Sequence, residues 1–419
     1  MGVVKEIGYF NAFVIKAADV NKNWHVEESR IKGAFNETSM ELGVRAYISD
    51  ENYAKERRKN ALIYSGIYNS KTGVNNLNQF NIGESITKAV DYADGSIQKL
   101  YAENTNLLIL QEDKVSRALI DKDAIFTAEG TSIKSTSNIV IGQVIPFLGK
   151  YGIGKNPESF AIKGGMKYFA DKKRGVVVRL TRDGHTEISY YGMRSWFKEN
   201  LKLFNNIFGI YDNVKDQYVL SMHNNSTYYT LGYDESSKGW TSFYTYKPHG
   251  GFTLNNVLYT FNGSNIYSHY TNNNYNEFYG VYDESKVNLI FNNSVSTNKI
   301  FKTINYEGTT GWQAKNIKAN LDGTSYTDIA SDISKYSSSI DYDLPGVSSF
   351  NKKENKYLAY LKNNSPIGEN EIVFGNQVSG IKGQYASLFL ETYVPVSDRP
   401  ETNKKELFAV STEAVLSSN

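Results

Sequence analysis

The chain has no cysteine among its 419 residues, and this absence excludes three kinds of chemistry. Disulfide bonds, thiol nucleophiles and thiolate metal sites all need the cysteine sulfur. Long apolar runs are missing as well: no segment reaches about 18 consecutive apolar residues, so the sequence predicts no membrane span. The formal net charge is only +2, which predicts no strong attraction of the whole chain to nucleic acid or to a membrane surface.

Proline is scarce too, with 7 residues, whereas the chain contains 32 tyrosines, 21 phenylalanines and 33 glycines. Aromatic residues favour strands, and glycine favours the tight turns between them. Hydrophobic residues make up 40% of the chain and charged residues 21%, values typical of a folded protein rather than a disordered one. The composition therefore predicts a folded chain of many short strands.

The stretch 208–246 shows most clearly how these strands are arranged, because it contains the same short pattern twice. An apolar strand runs into a Tyr-Asp pair, a polar turn follows, and an aromatic residue begins the returning strand. The two copies, with equal spacing from Asp to the aromatic residue, are Tyr211-Asp212 with Tyr218 and Tyr233-Asp234 with Trp240. Aspartate suits a turn because its carboxylate accepts hydrogen bonds from backbone N–H groups. The pattern predicts two consecutive β-hairpins.

Variations of this hairpin recur along the chain, with predicted turns near residues 112, 173, 214, 236, 263 and 284. Within this series, Gly192 to Phe208 has apolar residues at three- and four-residue spacing, which predicts one amphipathic helix that caps or links the repeats. The predicted fold class is mainly β: antiparallel hairpin repeats in a β-propeller-like domain, with a linking helix and a C-terminal β region. A two-sheet sandwich with insertions is the alternative.

Three regions follow from this interpretation. They are an N-terminal segment or adapter at 1–60, the hairpin-repeat domain at 61–318, and a polar connector plus C-terminal β region at 319–419. The first region is expected to hold a strand at Gly8–Ala17 and a solvated charged run at 50–60. The connector, 319–365, is expected to hold short helical turns. C-terminal strands are predicted at Lys356–Leu361, Gln384–Val394 and Leu407–Leu416, the last of which either pairs with its neighbours or returns to an earlier strand.

One glycine-rich segment, Gly149 to Lys155, has the spacing of a phosphate-binding loop and follows an apolar strand. Such a loop needs a hydroxyl residue next, and then a helix whose N-terminal amides face the phosphate. Asn156-Pro157 follows instead, and the sequence soon becomes strand-like again. An acidic pair, Glu112-Asp113, lies upstream in a predicted hairpin turn. The sequence therefore favours a glycine-rich connection between strands over a nucleotide site.

Other reactive side chains favour structural roles. The histidines lack the spacing of metal-ligand pairs; they are His25, His185, His223, His249 and His269. The aspartates of the polar stretch lack calcium-loop spacing, although the last two would share one strand face and could hold a cation weakly; they are Asp322, Asp328, Asp332, Asp341 and Asp343. The basic segment Lys163–Arg182 favours an exposed edge that resists aggregation, or else a nucleic-acid contact. No catalytic, cofactor-binding or metal-binding residue is predicted, and no cofactor.

Several passages together resemble one known protein family. They are residues 58–90, 100–130, 153–189 and 233–270, and the C-terminal KKELFAVSTEAVLSSN. They are similar to the tail stabilisation or muzzle-type structural proteins of crAss-like and related short-tailed bacteriophages. The resemblance covers most of residues 58–419 and is weak over 1–57. These passages are specific to the family and contain no catalytic motif.

The resemblance implies a virion protein of the phage tail, made in the cytoplasm of the bacterial host, that is not an enzyme. It implies a homo-oligomeric ring, with six-fold symmetry expected, that contacts other tail proteins around the DNA exit channel during genome ejection. A passive contact with the genomic DNA belongs to the same expectation. Two alternatives remain from the sequence: a receptor- or glycan-binding β module, with aromatic faces that stack on sugars or with depolymerase activity, and a cellular propeller scaffold.

Overall fold

The computed structural model describes residues 58–66, 68–78, 80–81, 86–103, 106–126, 132–320, 325–331, 348–363, 378–392, 394, 399 and 402–417, with three strands nearer the N-terminus. Over these residues the protein is mainly β, with antiparallel sheets and one α-helix, so that part of the predicted fold class is confirmed. The chain divides into two compact units, residues 1–268 and 269–419. The predicted boundary at 318 falls inside the second unit.

The first unit begins with short strands in two-stranded sheets. These are β1 (Ala12–Ala17), β2 (Trp24–Ser29), β3 (Ile31–Lys32), β4 (Ala61–Ile63), β5 (Tyr68–Asn69), β6 (Val74–Asn75), β7 (Phe80–Asn81) and β8 (Thr87–Ala89). β1 pairs with β2, β4 with β8 and β5 with β6 in antiparallel fashion, and β3 pairs with β7 in parallel. The predicted strand at Gly8–Ala17 is present from Ala12, whereas its beginning and most of the charged run 50–60 lie outside the described residues.

Four antiparallel sheets follow, and in each one consecutive strands are hydrogen-bonded neighbours. Sheet 1 contains β9 (Ile97–Glu103), β10 (Asn106–Gln111), β11 (Val115–Phe126) and β12 (Ser132–Pro146). Sheet 2 contains β13 (Ala161–Lys163), β14 (Met166–Asp171), β15 (Val176–Thr181) and β16 (Gly184–Glu187). Sheet 3 contains β17 (Asn206–Asp212), β18 (Gln217–His223), β19 (Tyr228–Asp234) and β20 (Gly239–Tyr244). Sheet 4 contains β21 (Gly250–Leu254), β22 (Val257–Asn262) and β23 (Asn265–Ser268).

Sheet 3 confirms the two hairpins predicted over 208–246. Tyr211 lies opposite Tyr218, and Tyr233 lies opposite Trp240, as the repeated pattern requires. The carboxylate of the first Asp accepts hydrogen bonds from the N–H groups of the next turn, with Asp212 Oδ1 2.9 Å from Val214 N. Asp234 does the same for Ser236 N at 2.9 Å. The Tyr-Asp aspartates therefore stabilise turns.

The four sheets pack against one another in chain order. Leu108 of sheet 1 shares a hydrophobic core with Phe169 of sheet 2, and a short 3-10 turn, Pro157–Ser159, precedes that second sheet. On the opposite face of sheet 2, the ring of Tyr168 stacks on the ring of Tyr218 in sheet 3, with 4.9 Å between centroids. Gly251 of sheet 4 then lies against Ile210 of sheet 3. Sheets 1 to 3 thus each bury an apolar face against the next sheet along the chain.

The predicted helix at Gly192–Phe208 needs a correction at both ends. The helix, α1, spans Tyr190–Asn200, with non-helical backbone at its start, where Gly192 has φ +74°. A 3-10 turn at Leu201–Leu203 follows α1, and β17 begins at Asn206. The apolar spacing extends past the helix because Phe204 and Ile207, which belong to the extended chain, are buried in the same core as Phe197. Periodicity alone cannot separate these two conformations.

The second unit is built on a nine-stranded sheet. Its strands are β26 (Lys286–Phe291), β27 (Lys299–Gly308), β28 (Trp312–Ala319), β29 (Ser325–Ser331), β30 (Ser348–Lys353), β31 (Lys356–Tyr360), β34 (Ile381–Gly383), β35 (Ala386–Thr392) and β36 (Leu407–Leu416). The order is β26-β35-β28-β29-β30-β31-β27-β34, with β36 also paired to β27. Two small sheets accompany it: β24 (Glu277–Phe278) with β25 (Val281–Tyr282), and β32 (Lys362–Asn363) with β33 (Val378–Ser379).

One prediction for this unit is wrong, one finds no support among the described residues, and one of two alternatives is decided. No hairpin is centred on residue 284, because Lys286–Phe291 pairs with Ala386–Thr392. The described parts of the predicted connector contain strands β29–β32 and no helical turns. The last strand, Leu407–Leu416, returns to the earlier strand Lys299–Gly308. All three outcomes depend on partners that are distant in sequence.

Buried aromatic residues form the core of the second unit. The rings of Tyr306 and Tyr357 stack with 4.7 Å between centroids, and Phe350 meets Tyr306 edge-on at 5.0 Å. In β35 the buried residues alternate with half-buried ones, which places Leu388 and Leu390 in this core. A strict alternation is the pattern of a strand with one face in the core.

Candidate functional site

The glycine-rich segment Gly149–Lys155 connects sheet 1 to sheet 2. Two of its glycine N–H groups already have protein acceptors: Gly152 N lies 3.2 Å from Asp171 Oδ2, and Gly154 N lies 3.0 Å from the carbonyl oxygen of Glu112. A 3-10 turn and then a strand follow, instead of a long helix. The amides therefore do not form a phosphate cradle, and this geometry favours the connecting-loop interpretation.

The same segment nevertheless forms one wall of a cleft of about 550 Å³, which we call the lysine cleft. Three other parts of the chain complete it. They are the β10–β11 turn of sheet 1, the β14–β15 turn of sheet 2, and the segment that leads from α1 into sheet 3. The lining residues are Glu112, Asp113, Gly154, Lys155, Asn156, Lys172, Lys173, Lys202 and Asn205. The structure thus brings the glycine-rich segment, the acidic pair and part of the basic segment together, although they are far apart in sequence.

The two carboxylates of the lysine cleft already have partners within the protein. Asp113 accepts Lys173 Nζ at 2.6 Å and Arg174 Nη1 at 3.1 Å. Burial would raise the pKa of Asp113, but these two cations outweigh burial and hold the pKa below its usual range. A hydrogen bond from Ser96 lowers the pKa of Glu112, again against the effect of burial. Both groups are therefore ionised near neutral pH, and the charge of Asp113 is matched by its cationic neighbours.

The basic segment Lys163–Arg182 does not form a single patch. Lys167 is buried and paired with Glu103 of sheet 1, whereas Arg179 pairs with Glu235 of sheet 3. Lys163 lies near Asp216, with 3.0 Å between Nζ and Oδ1. Because alternate residues of a strand point to opposite faces, the charges spread over several partners. Only the turn that contains Lys172 and Lys173 contributes to the lysine cleft.

Among the described residues the histidines form one pair and otherwise lie apart. The rings of His223 and His249 meet with 4.9 Å between centroids, while His269 is buried beside Phe278. No group of three or more His, Asp or Glu side chains that could hold a metal ion occurs among the described residues. The side chains of His25 and of Asp322, Asp328, Asp332, Asp341 and Asp343 lie outside them.

His185 is enclosed by aromatic rings and is kept neutral. Its imidazole lies 5.2 Å from the ring of Tyr151 and 5.6 Å from that of Phe147, and its Nδ1 lies 3.0 Å from the carbonyl oxygen of Leu148. Burial lowers the pKa of His185, more than the contact with this carbonyl raises it. A lowered pKa means that the unfolded chain binds the proton more readily than the folded one.

We expect the free energy of unfolding to fall on acidification as His185 titrates. Its contribution is fully present above the unfolded pKa of 6.5 and is lost as the pH falls through the lower, folded pKa. Urea unfolding between pH 7.5 and 5 should therefore show a smaller loss of stability in His185→Gln than in the parent. The exposed neighbour Arg182→Gln should keep the parental pH dependence. An unchanged pH slope in His185→Gln would contradict the assignment.

Sheet 4 presents a second feature, an apolar outer face that sequence reasoning did not find. One side of the sheet faces sheet 3, and the other carries side chains that share a register: Phe252, Leu254, Val257, Tyr259, Phe261 and Ile266. The rings of Phe252 and Tyr259 stack with 5.2 Å between centroids. Phe252 is 41% exposed, Leu254 56% and Ile266 62%. Contiguous apolar surface of this kind is typical of an interaction site.

The comparison with protein families bears on the second unit. Residues 273–364 match the family described as the Crassvirus muzzle protein C-terminal domain. This stretch is similar to the C-terminal domain of crassvirus muzzle proteins. The match confirms the resemblance to muzzle-type proteins of crAss-like phages and indicates a phage structural protein. A search of the curated proteins finds no match to the chain.

The second unit extends beyond the residues that match the muzzle family. The matched stretch contributes β24 to β32, including the stacked Tyr306 and Tyr357. Strands β35 and β36, which follow the match in sequence, pair with β26 and β27 inside this unit. A variant that ended at residue 364 would therefore leave β26 without its partner β35 and β27 without its partner β36, and part of the core would be exposed. No helix among the described residues is long and apolar enough to cross a membrane.

Proposed function

We propose that the protein is a structural component of a bacteriophage tail, a muzzle, nozzle or stabilisation protein that acts through subunit–subunit contacts around the DNA exit channel. The observation that carries the proposal is the match of residues 273–364 to the muzzle family. The protein acts by assembly and not by catalysis. It forms a homo-oligomeric ring, with six-fold symmetry expected, and contacts other tail proteins in the virion.

The first unit is proposed to be the propeller-like part of this component. Propellers consist of four-stranded antiparallel sheets that pack face to face in chain order. Sheets 1 to 3 have this form, and sheet 4 continues the series with three strands. A sandwich would instead require two large sheets. The repeated sheets support the propeller-like arrangement over the sandwich.

The apolar outer face of sheet 4 is the proposed contact with a neighbouring subunit. A ring needs two different surfaces on each subunit that fit one another, and at least one of them usually has an apolar centre. The face carries three exposed apolar side chains, and one of them, Phe252, stacks on Tyr259. Burial of this face would remove apolar area from water, which favours association.

We expect the double change Phe252→Asp and Ile266→Asp to convert rings into monomers. Two charges at the centre of the face would have to be buried without partners, which opposes association. Sedimentation velocity and negative-stain electron microscopy of the purified full chain measure this shift. Leu148→Asp is the matched control, because Leu148 is 93% exposed and lies in the connection between sheets 1 and 2. A monomeric parent protein at micromolar concentration would contradict the ring, and unchanged rings in the double variant would exclude this face.

A glycan-binding module is the second candidate, and the stacked rings of sheet 4 are the observation in its favour. Aromatic faces can stack on sugar rings, so the same residues serve to test it. If the parent protein binds a glycan array and the double variant does not, while both have the same oligomeric state, the glycan-binding function replaces the assembly function for this face.

A further inference from the structure

We propose that the lysine cleft binds the phosphodiester backbone of a nucleic acid through its lysine side chains, without reading the bases. The inference rests on the proposed function for the source of the nucleic acid, which would be the genome that passes along the tail. The binding chemistry itself rests on the cleft alone. The lysine cleft would be the place at which this chain makes the passive contact with genomic DNA that the family resemblance implies.

The charge of the lysine cleft is the first support. Four lysines and two carboxylates line it, which leaves a surplus of two positive charges. Asp113 already has Lys173 and the nearby Arg174 as partners. Lys155 and Lys202 make no ion pair within 4.0 Å among the residues that the structure describes. Their ammonium groups are exposed and are therefore available to an anion from outside the protein.

The arrangement of the lysines is the second support. Lys155 lies in the connection from sheet 1 to sheet 2, Lys172 lies in the β14–β15 turn, and Lys202 lies in the connection from sheet 2 to sheet 3. Two connections between sheets and one hairpin turn thus bring their lysines to the same cleft. Lys172 Nζ also contacts Asn205 Oδ1 at 3.1 Å, which orients it within the cleft. Several cations in one cleft suit a polyanion whose phosphates follow one another along a chain.

The chemistry of the lining decides between a nucleic-acid backbone and a nucleotide. The backbone amides of Gly152 and Gly154 are bonded within the protein, so no nest of N–H groups receives a triphosphate. The lining contains no aromatic ring on which a base could stack. Lysine acts on phosphate as a point charge and fixes position rather than sequence. The contact is therefore electrostatic and independent of base sequence.

The test compares charge reversal inside and outside the cleft in the full-length protein. Binding of a fluorescent double-stranded DNA is measured by anisotropy between about 25 and 200 mM salt. For about two to three phosphate contacts, the logarithm of the affinity should fall with the logarithm of the salt concentration with a slope of roughly −2 to −3. Lys155→Glu with Lys202→Glu should weaken binding at least ~10-fold and reduce the slope by about 2.

The control pair, Lys318→Glu with Lys353→Glu, changes the net charge equally at exposed lysines of the second unit. It should bind as the parent does. An equal loss in the control pair would overturn the cleft as the site, and so would unchanged binding in the cleft variant or no binding by the parent at the lowest salt. Complete displacement of DNA by equimolar ATP would also overturn the proposal and indicate a nucleotide site. The neutral pair Lys155→Gln with Lys202→Gln should give a smaller loss in the same direction.

Folding and assembly are followed separately in the same samples by circular dichroism and electron microscopy. Rings without DNA binding would contradict only the cleft proposal. DNA binding at the cleft by a protein that never assembles would contradict only the proposed function.

Discussion

Replacement of Gly209 by valine destabilises the first unit by roughly 3 kcal/mol or prevents its folding. A Cβ at this position of β17 would lie 2.2 Å from the carbonyl oxygen of Ser159 and 2.7 Å from the hydroxyl of Tyr218. Neither group can move easily, because the Tyr218 hydroxyl donates to that same carbonyl at 2.7 Å in a fully buried position. Overpacking in a core costs about 1–3 kcal/mol, and more where the obstacle is backbone.

Thermal and urea unfolding followed by tryptophan fluorescence measure this effect, since Trp196 and Trp240 pack against the core that β17 joins. Gly165→Val is the matched control: Gly165 has open space around the position of a Cβ and lies in the short turn between β13 and β14. Its variant should unfold with the parent. A Gly209→Val protein of parental stability would show that sheets 2 and 3 do not approach each other closely at this point.

Replacement of Asp171 by alanine is the second large effect, with an expected loss of about 3 kcal/mol. The carboxylate is completely buried at the end of β14. It accepts Arg174 Nη1 at 2.8 Å and Gly152 N at 3.2 Å through Oδ2, and Arg174 N at 3.1 Å through Oδ1. Its removal leaves a buried N–H without an acceptor and a guanidinium with one carboxylate fewer. Breaking one side of a buried ion pair costs about 3–5 kcal/mol.

The Asp171 prediction has a graded control. Asp171→Asn keeps an acceptor for Gly152 N but removes the charge, so its loss of stability should lie between those of the parent and the alanine variant. Asp183→Ala changes an exposed aspartate in the next turn of the same sheet and should leave the free energy of unfolding within about 0.5 kcal/mol. Equal losses in all three variants would mean that the carboxylate network does not connect the loop to sheet 2.

The contrast between sheet 3 and the second unit shows what can be predicted from sequence. The hairpins of sheet 3 are predictable because the turn signal, Asp212 with its N–H donors, lies within the segment that it folds. The Tyr282-Asp283 pair looks the same in sequence but has a different outcome. There Lys286–Phe291 finds the strand Ala386–Thr392, whose alternating apolar residues complete a core. A strand selects its partner by packing, and packing involves residues that are distant in the chain.

The candidate sites divide in the same way. The sequence indicates that Gly149–Lys155 is a poor phosphate loop, and the bonded amides of Gly152 and Gly154 agree with this. It does not indicate that Lys155 and Lys202 share a cleft, because they belong to different connections. The exposure of the outer face of sheet 4 cannot be predicted from the sequence either, because Phe252 and Ile266 have the same strand pattern as residues that are buried elsewhere.

The sequence by itself determined that this chain is mainly β and that residues 208–246 form two antiparallel hairpins, with aspartates in their turns and aromatic residues in their strands. These features depend on hydrogen bonds and alternation within a few residues. Only the tertiary structure decided which sheet faces were covered, which lysines met in one cleft, and which earlier strand received Leu407–Leu416. Those outcomes depend on apolar burial and charge summed over segments that the chain brings together only when it is folded.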